Sequence, residues 1–95
     1  MSKKITINQM VKEIFFDATN GKRTYDNYPY DMLVVDGLKS FYYRWYFEQV
    51  YQEWMEGKKT SSQIIERIYQ DLLIRGRFND HAREVAMAIK KVMYA

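Results

Sequence analysis

Ninety-five residues with 47% hydrophobic and 28% charged side chains make one domain, because a chain this short buries only about 60–65% of its unfolded surface and cannot divide that core. The absence of cysteine excludes disulfides and thiolate metal sites, so stability must come from packing, for which five Phe, nine Tyr and two Trp supply large areas. A net charge of +3 falls well short of the dense Lys/Arg pattern of a dedicated nucleic-acid binder and has the wrong sign for a mimic of DNA.

Met1-Ser2-Lys3-Lys4 looks like the basic start of a signal peptide, but Asn8, Gln9, Lys12 and Glu13 interrupt any apolar stretch behind it. The longest apolar runs are far below the roughly 20 residues that span a bilayer. The expectation is a soluble, cytoplasmic protein. The abundance of Ile, Lys, Asn, Tyr and Phe, whose codons are A/T-rich, points to a bacterium of low GC content, its phages or a mobile element as the source.

A first helix is predicted over residues 7 to 20. Thr6 can accept from the amide of Gln9 while that side chain reaches back, as in a capping box, and Ile7, Met10, Val11, Ile14 and Ala18 share one face. Asn20-Gly21 can close it in the left-handed conformation. Residues 22 to 30 carry Asp26-Asn27, Pro29 and the tyrosines Tyr25, Tyr28 and Tyr30, which read as an ordered loop packed on the bundle.

The second predicted helix, 31 to 56, is the distinctive one. Asp31 can cap it, and Phe41-Tyr42-Tyr43-Arg44-Trp45-Tyr46-Phe47 puts six aromatic rings into seven positions, with Tyr51 and Trp54 following. At about 100° per residue, Leu38, Phe41, Tyr42 and Trp45 fall on one side and Tyr43, Phe47, Val50 and Trp54 on the other. One face builds the core; the second needs a partner in this chain, another copy or a different molecule. The stripe passes through Gly37, where a kink is expected. A rival reading takes Asp36-Gly37 as a type I′ turn between strands 32 to 35 and 38 to 43, giving an α+β fold, although residues 38 to 47 do not alternate. Gly57 stops the element.

Thr60-Ser61-Ser62-Gln63 opens a third helix, 61 to 75, with another capping box and an inner face of Ile64, Ile65, Ile68 and Leu72. Arg75-Gly76 closes it. Asn79 or Asp80 opens the last helix, 80 to 94, with Ala82, Val85, Ala86, Ile89, Val92 and Met93 inward. The fold expected is all-α, an irregular four-helix bundle around the long aromatic-rich second helix.

The leading candidate site is the second aromatic face, Tyr43, Phe47, Val50, Tyr51 and Trp54, read as a protein interface because Trp and Tyr anchors dominate binding energetics. The bland alternative is a central helix with neighbours on both sides. A second candidate is the basic corner of Arg75, Arg77, Arg83 and Lys90 with Tyr94. On the last helix Arg83, Met87, Lys90 and Tyr94 form an outward stripe that could follow a phosphate backbone. Against it, Glu84 interrupts the positive field, and the Arg75-to-Asp80 connection reads as longer than a usual helix-turn-helix turn. A solvated face is the simpler account.

His81, the single histidine, sits at a helix start where the dipole disfavours its charged form, with no partner for a usual zinc set. Asp26, Asp31 and Asp36 are spaced by five and do not converge. No phosphate loop, nucleophile elbow or His-centred dyad occurs, so no metal, cofactor or small-molecule substrate is inferred. The sequence therefore points to a small non-enzymatic interaction module, a regulator or inhibitor that binds a protein partner or itself. A nucleic-acid-binding regulator using the basic corner is the alternative.

Overall fold

The computed structural model describes residues 5–19 and 30–94, with Tyr30 and Asp31 described by their backbone alone. These residues form five helices: α1 Ile7–Ala18, α2 Tyr30–Phe41, α3 Arg44–Met55, α4 Ser61–Arg75 and α5 Asp80–Met93. No strand occurs among them, so the fold is all-α. The predicted Asn20-Gly21 stop and the Tyr25 and Tyr28 loop lie outside what is described, whereas Tyr30, read as loop, and Asp31, read as the cap, both lie inside α2, which starts one residue before Asp31.

Local signals set most of the helix ends. Thr6 accepts from the amide of Gln9 at 3.1 Å. At α4 the capping box is complete, with Thr60 Oγ1 accepting from the Gln63 amide at 3.1 Å and Gln63 Oε1 from the Thr60 amide at 2.9 Å. Asn79 Oδ1 takes the amides of His81 and Ala82, which would otherwise be orphaned at the start of α5. Gly57, at φ 75°, ends α3 in the left-handed conformation that a Cβ disfavours.

The predicted long helix is two helices. Both Asp36 and Gly37 lie within α2, so the hairpin does not form. The chain instead breaks at Tyr42-Tyr43, where Tyr43 is extended (φ −77°, ψ 156°) and α3 begins anew. Nothing local demands a break here: neither Gly nor Pro is near. The cause is tertiary. Leu38 and Phe47 are separated by about 180° on a straight helix, yet both are fully buried. Only a break lets α2 and α3 turn both into one core.

That core draws on every helix. Met10, Val11, Ile14 and Phe15 of α1, Val34, Val35 and Leu38 of α2, Phe47 of α3, the predicted inner face of α4, and Ala82, Val85, Ala86, Ala88 and Ile89 of α5 form one cluster. Phe15 and Ala88 join the predicted set; Ile7, Val92 and Met93 pack at its margin. Helix α1 packs against α2, α3 and α4, while α5 packs against α2 and α4. Between α3 and α4 the surface opens into a groove, lined by Tyr46 and Val50 of α3 and by Ile64 and Arg67 of α4.

Candidate functional site

The break at Tyr42-Tyr43 deals the aromatic run into different environments. Phe41 stacks on His81 with centroids 5.3 Å apart. Tyr42 stacks on Tyr46 at 4.9 Å, and both rings meet Phe47 edge-on at 6.0 and 5.4 Å, the offset and T-shaped arrangements that aromatic quadrupoles favour. The Tyr42 hydroxyl donates to Asp71 Oδ2 at 2.6 Å, and Arg75 Nε donates to the same oxygen at 3.0 Å. The Arg75 guanidinium also lies over the Tyr42 ring, 5.6 Å from its centroid. Burial first, then the bond to Asp71, pushes the Tyr42 phenol far above its ordinary range, so it stays a neutral donor. Tyr43 and Trp45 point out of this cluster, 81% and 64% exposed.

The groove between α3 and α4 begins beneath these rings. Its aromatic end, about 680 Å³, is walled by Tyr42, Tyr46, Arg67 and Asp71. A further cavity of about 440 Å³ continues it toward the turn after α3, past Val50, Gln63 and Ile64. Tyr46 and Arg67 line both, and so mark the middle of the groove. At the turn, Lys58 and Lys59 are paired with Glu56 and Glu53 at 3.1 and 3.4 Å. Burial raises the Tyr46 phenol, and the nearby Arg67 guanidinium draws it part of the way back.

The five predicted interface residues separate accordingly. Phe47 is 1% exposed and belongs to the core. Val50, Tyr51 and Trp54 are partly buried against it, and the last two are tied to α1: the Tyr51 hydroxyl donates to Glu13 Oε2 at 2.5 Å, and Trp54 Nε1 to Asp17 Oδ2 at 3.4 Å. Helix α1 is thus the partner of Tyr51 and Trp54, while Val50 lines the groove toward α4. Of the five, Tyr43 alone stands fully outside.

The basic corner also divides. Arg75 is held by Asp71 on the aromatic side, and Arg83 pairs with Asp80. Arg83, Met87, Lys90 and Tyr94 are exposed as predicted, with Tyr94 leaning on Tyr69 at 5.2 Å. The connection from α4 to α5 is Gly76 to Asn79, four residues, so its length falls within the helix-turn-helix range after all. His81 is exposed on Phe41, 3.9 Å from Glu84. Asp36 pairs with Lys39 at 3.4 Å. Among the described residues no three His, Cys, Asp or Glu side chains are placed to hold a metal ion, and no helix is long and apolar enough to cross a membrane.

Sequence reasoning passed over Arg67, Gln70 and Asp71. Their signal was present: Arg67, Asp71 and Arg75 recur every four residues, which lines them along one face of α4, beside the Ile64 and Ile68 core stripe. No protein-family model, no curated protein and no solved structure matches this chain. Function must therefore be read from the groove itself.

Proposed function

We propose that this protein is a small non-enzymatic interaction module, a regulator or inhibitor that acts by occupancy, and that its binding surface is the α3–α4 groove with the adjoining Tyr43 and Trp45 corner. Its occupant is a protein partner or a second copy. The cytoplasm of an AT-rich bacterium or its mobile elements is the setting that composition suggests. The observation that carries the reading is the pair of rings at the corner, 81% and 64% exposed, beside a groove whose Asp71, Lys58 and Lys59 are already paired within the chain. Rings held outside a well-packed core are the anchors that protein interfaces use.

Replacing Tyr43 or Trp45 by Ser tests it. Both variants should melt within about 0.5 kcal/mol of the parent, because surface positions contribute little to folding, yet lose self-association in sedimentation or partner retention in affinity capture. Unchanged association in both variants would sink the proposal.

The second reading, a nucleic-acid-binding regulator, is favoured by the four-residue α4–α5 turn and the outward stripe of α5. Weighing against it are the neutralised Arg75 and Arg83 and the acidic Asp80 and Glu84 at the start of the helix that would enter a groove of DNA.

A further inference from the structure

We propose that the partner at this corner is a second copy of the same chain, joined end to end about a twofold axis so that Phe78 of each copy enters the aromatic end of the other's groove. This rests on the preceding reading that the module binds protein, and names the partner.

Both halves of such a contact stand at one end of the bundle. The α2–α3 break and the α4–α5 turn are neighbours there: Phe41 stacks on His81, and the Arg75 guanidinium lies 5.9 and 5.6 Å from the ring centroids of Phe41 and Tyr42. Phe78 stands out from the turn, 93% exposed, with its amide donating to the Arg75 carbonyl at 3.0 Å. Ile74, 61% exposed, shares with Gln70 and Asp71 the face of α4 that walls the groove. The receiving cavity, about 680 Å³, is lined by Tyr43, Trp45 and Arg75 among others. A cavity of about 150 Å³ already takes a benzene ring. A ring almost wholly in water thus stands beside an aromatic hollow with room for one. Because both lie at the same end, two copies can satisfy each other twice across a twofold axis, and the contact closes instead of growing into a filament.

Area and charge favour a second copy over other occupants. Tyr43, Trp45 and Phe78 offer roughly 350–600 Å² per copy at about 150–250 Å² a ring, and so roughly 700–1,200 Å² from a symmetric pair. With Ile74 and a polar rim added, the contact reaches the about 1,000 Å² that a specific interface clears. Arg75 pairs with Asp71, Arg83 with Asp80 and Arg44 with Glu48, while Arg77 and Glu84, exposed beside them, have opposite signs. The end is therefore balanced in charge, and two copies meet without repulsion. An anionic lipid or nucleic acid would find most of these cations already engaged.

Sedimentation of the full chain from about 1 µM to about 1 mM should show a monomer–dimer equilibrium without larger species. Phe78→Ser should weaken it about a hundredfold or more, since each of the two ring burials is worth about tenfold or more. Its thermal melt should match the parent, because the side chain is exposed. Trp45→Ser should act in the same direction. An equimolar mixture of the two variants should associate more strongly than either alone, because one intact Phe78 still meets one intact corner. The chain has no cysteine, so Arg77→Cys carries a nitroxide at a single site. Mixed with isotopically labelled wild type, it should broaden the indole resonance of Trp45 and leave that of Trp54, held on Asp17 of α1, sharp. A monomer at about 1 mM, a dimer untouched by Phe78→Ser, or broadening that spares Trp45 would each overturn the assignment. So would a monomer that co-sediments with anionic vesicles, which would give this end to a lipid surface. If the chain is monomeric while Trp45→Ser still abolishes capture of a different protein, the interaction reading stands and only the second copy is wrong. If both fail, that reading falls with it.

Discussion

At Gly37 helices α2 and α5 meet with no room for a methyl group: a Cβ there would stand 2.2 Å from Val85 Cγ2. Helix propensity alone makes Gly37→Ala neutral or stabilising by up to about 1 kcal/mol. The close approach reverses the sign, and the substitution should destabilise by about 1–3 kcal/mol, as overpacked cores do. Trimming the obstruction with Val85→Ala should restore part of the loss, so the double variant in chemical denaturation should be more stable than the sum of the two single effects predicts. A second residue-scale outcome follows from Tyr51. Its hydrogen bond to Glu13 raises its phenol to about 12, against the usual value of about 10 that the unfolded chain retains. The folded state therefore holds a proton that the unfolded state gives up first. The stabilisation is complete below about pH 10 and is lost as pH rises through about 12. Tyr51→Phe should flatten the alkaline fall in stability between those limits; an unchanged profile would detach this bond from the titration.

At the scale of helices, the break at Tyr42-Tyr43 decides which aromatics support the fold. Phe47→Ala should cost about 3–5 kcal/mol, as large truncations in a core do, while Trp45→Ala, two positions earlier, should leave urea unfolding nearly unchanged. Equal costs would mean that the chain runs on as one helix. The ends of α1, α4 and α5 were legible because Thr6, Thr60 and Asn79 act on amides two or three residues away, a distance that pattern reading covers. The inner faces of α4 and α5 were legible for the same reason, their period being local. The break was not, because it answers to the shared core of Leu38 and Phe47 and leaves no Gly or Pro as a mark. That one displacement also moved the site. The density of rings announced an interface, but the turn of α3 gave Phe47 to the core and Tyr51 and Trp54 to α1, and left Tyr43 and Trp45 outside. Arg67 and Asp71 could have been found from their spacing by four on α4, had the helix been read for charge as well as for its apolar face.

For the molecule as a whole, the balance of paired and unpaired cations sets its response to polyanions. With Arg75 and Arg83 neutralised by Asp71 and Asp80, Arg77 and Lys90 are the members of the corner left to meet phosphate. Binding to labelled duplex DNA, followed by anisotropy across a salt series, should be weak, with a log-log slope no steeper than about −2. A slope near −4 that falls by about one with each of Arg75→Ala, Arg77→Ala, Arg83→Ala and Lys90→Ala would promote the nucleic-acid reading. The two tryptophans, finally, sit in unlike surroundings: Trp54 partly buried with its indole N–H on Asp17, Trp45 largely in water. Nature has in effect built two optical reporters into one small chain. In a Trp45→Phe background the remaining emission follows the docking of α3 on α1 and so tracks unfolding. In a Trp54→Phe background it comes from the corner, open to acrylamide quenching until something covers it. Occupancy and folding can thus be watched separately, by light alone, in the same protein.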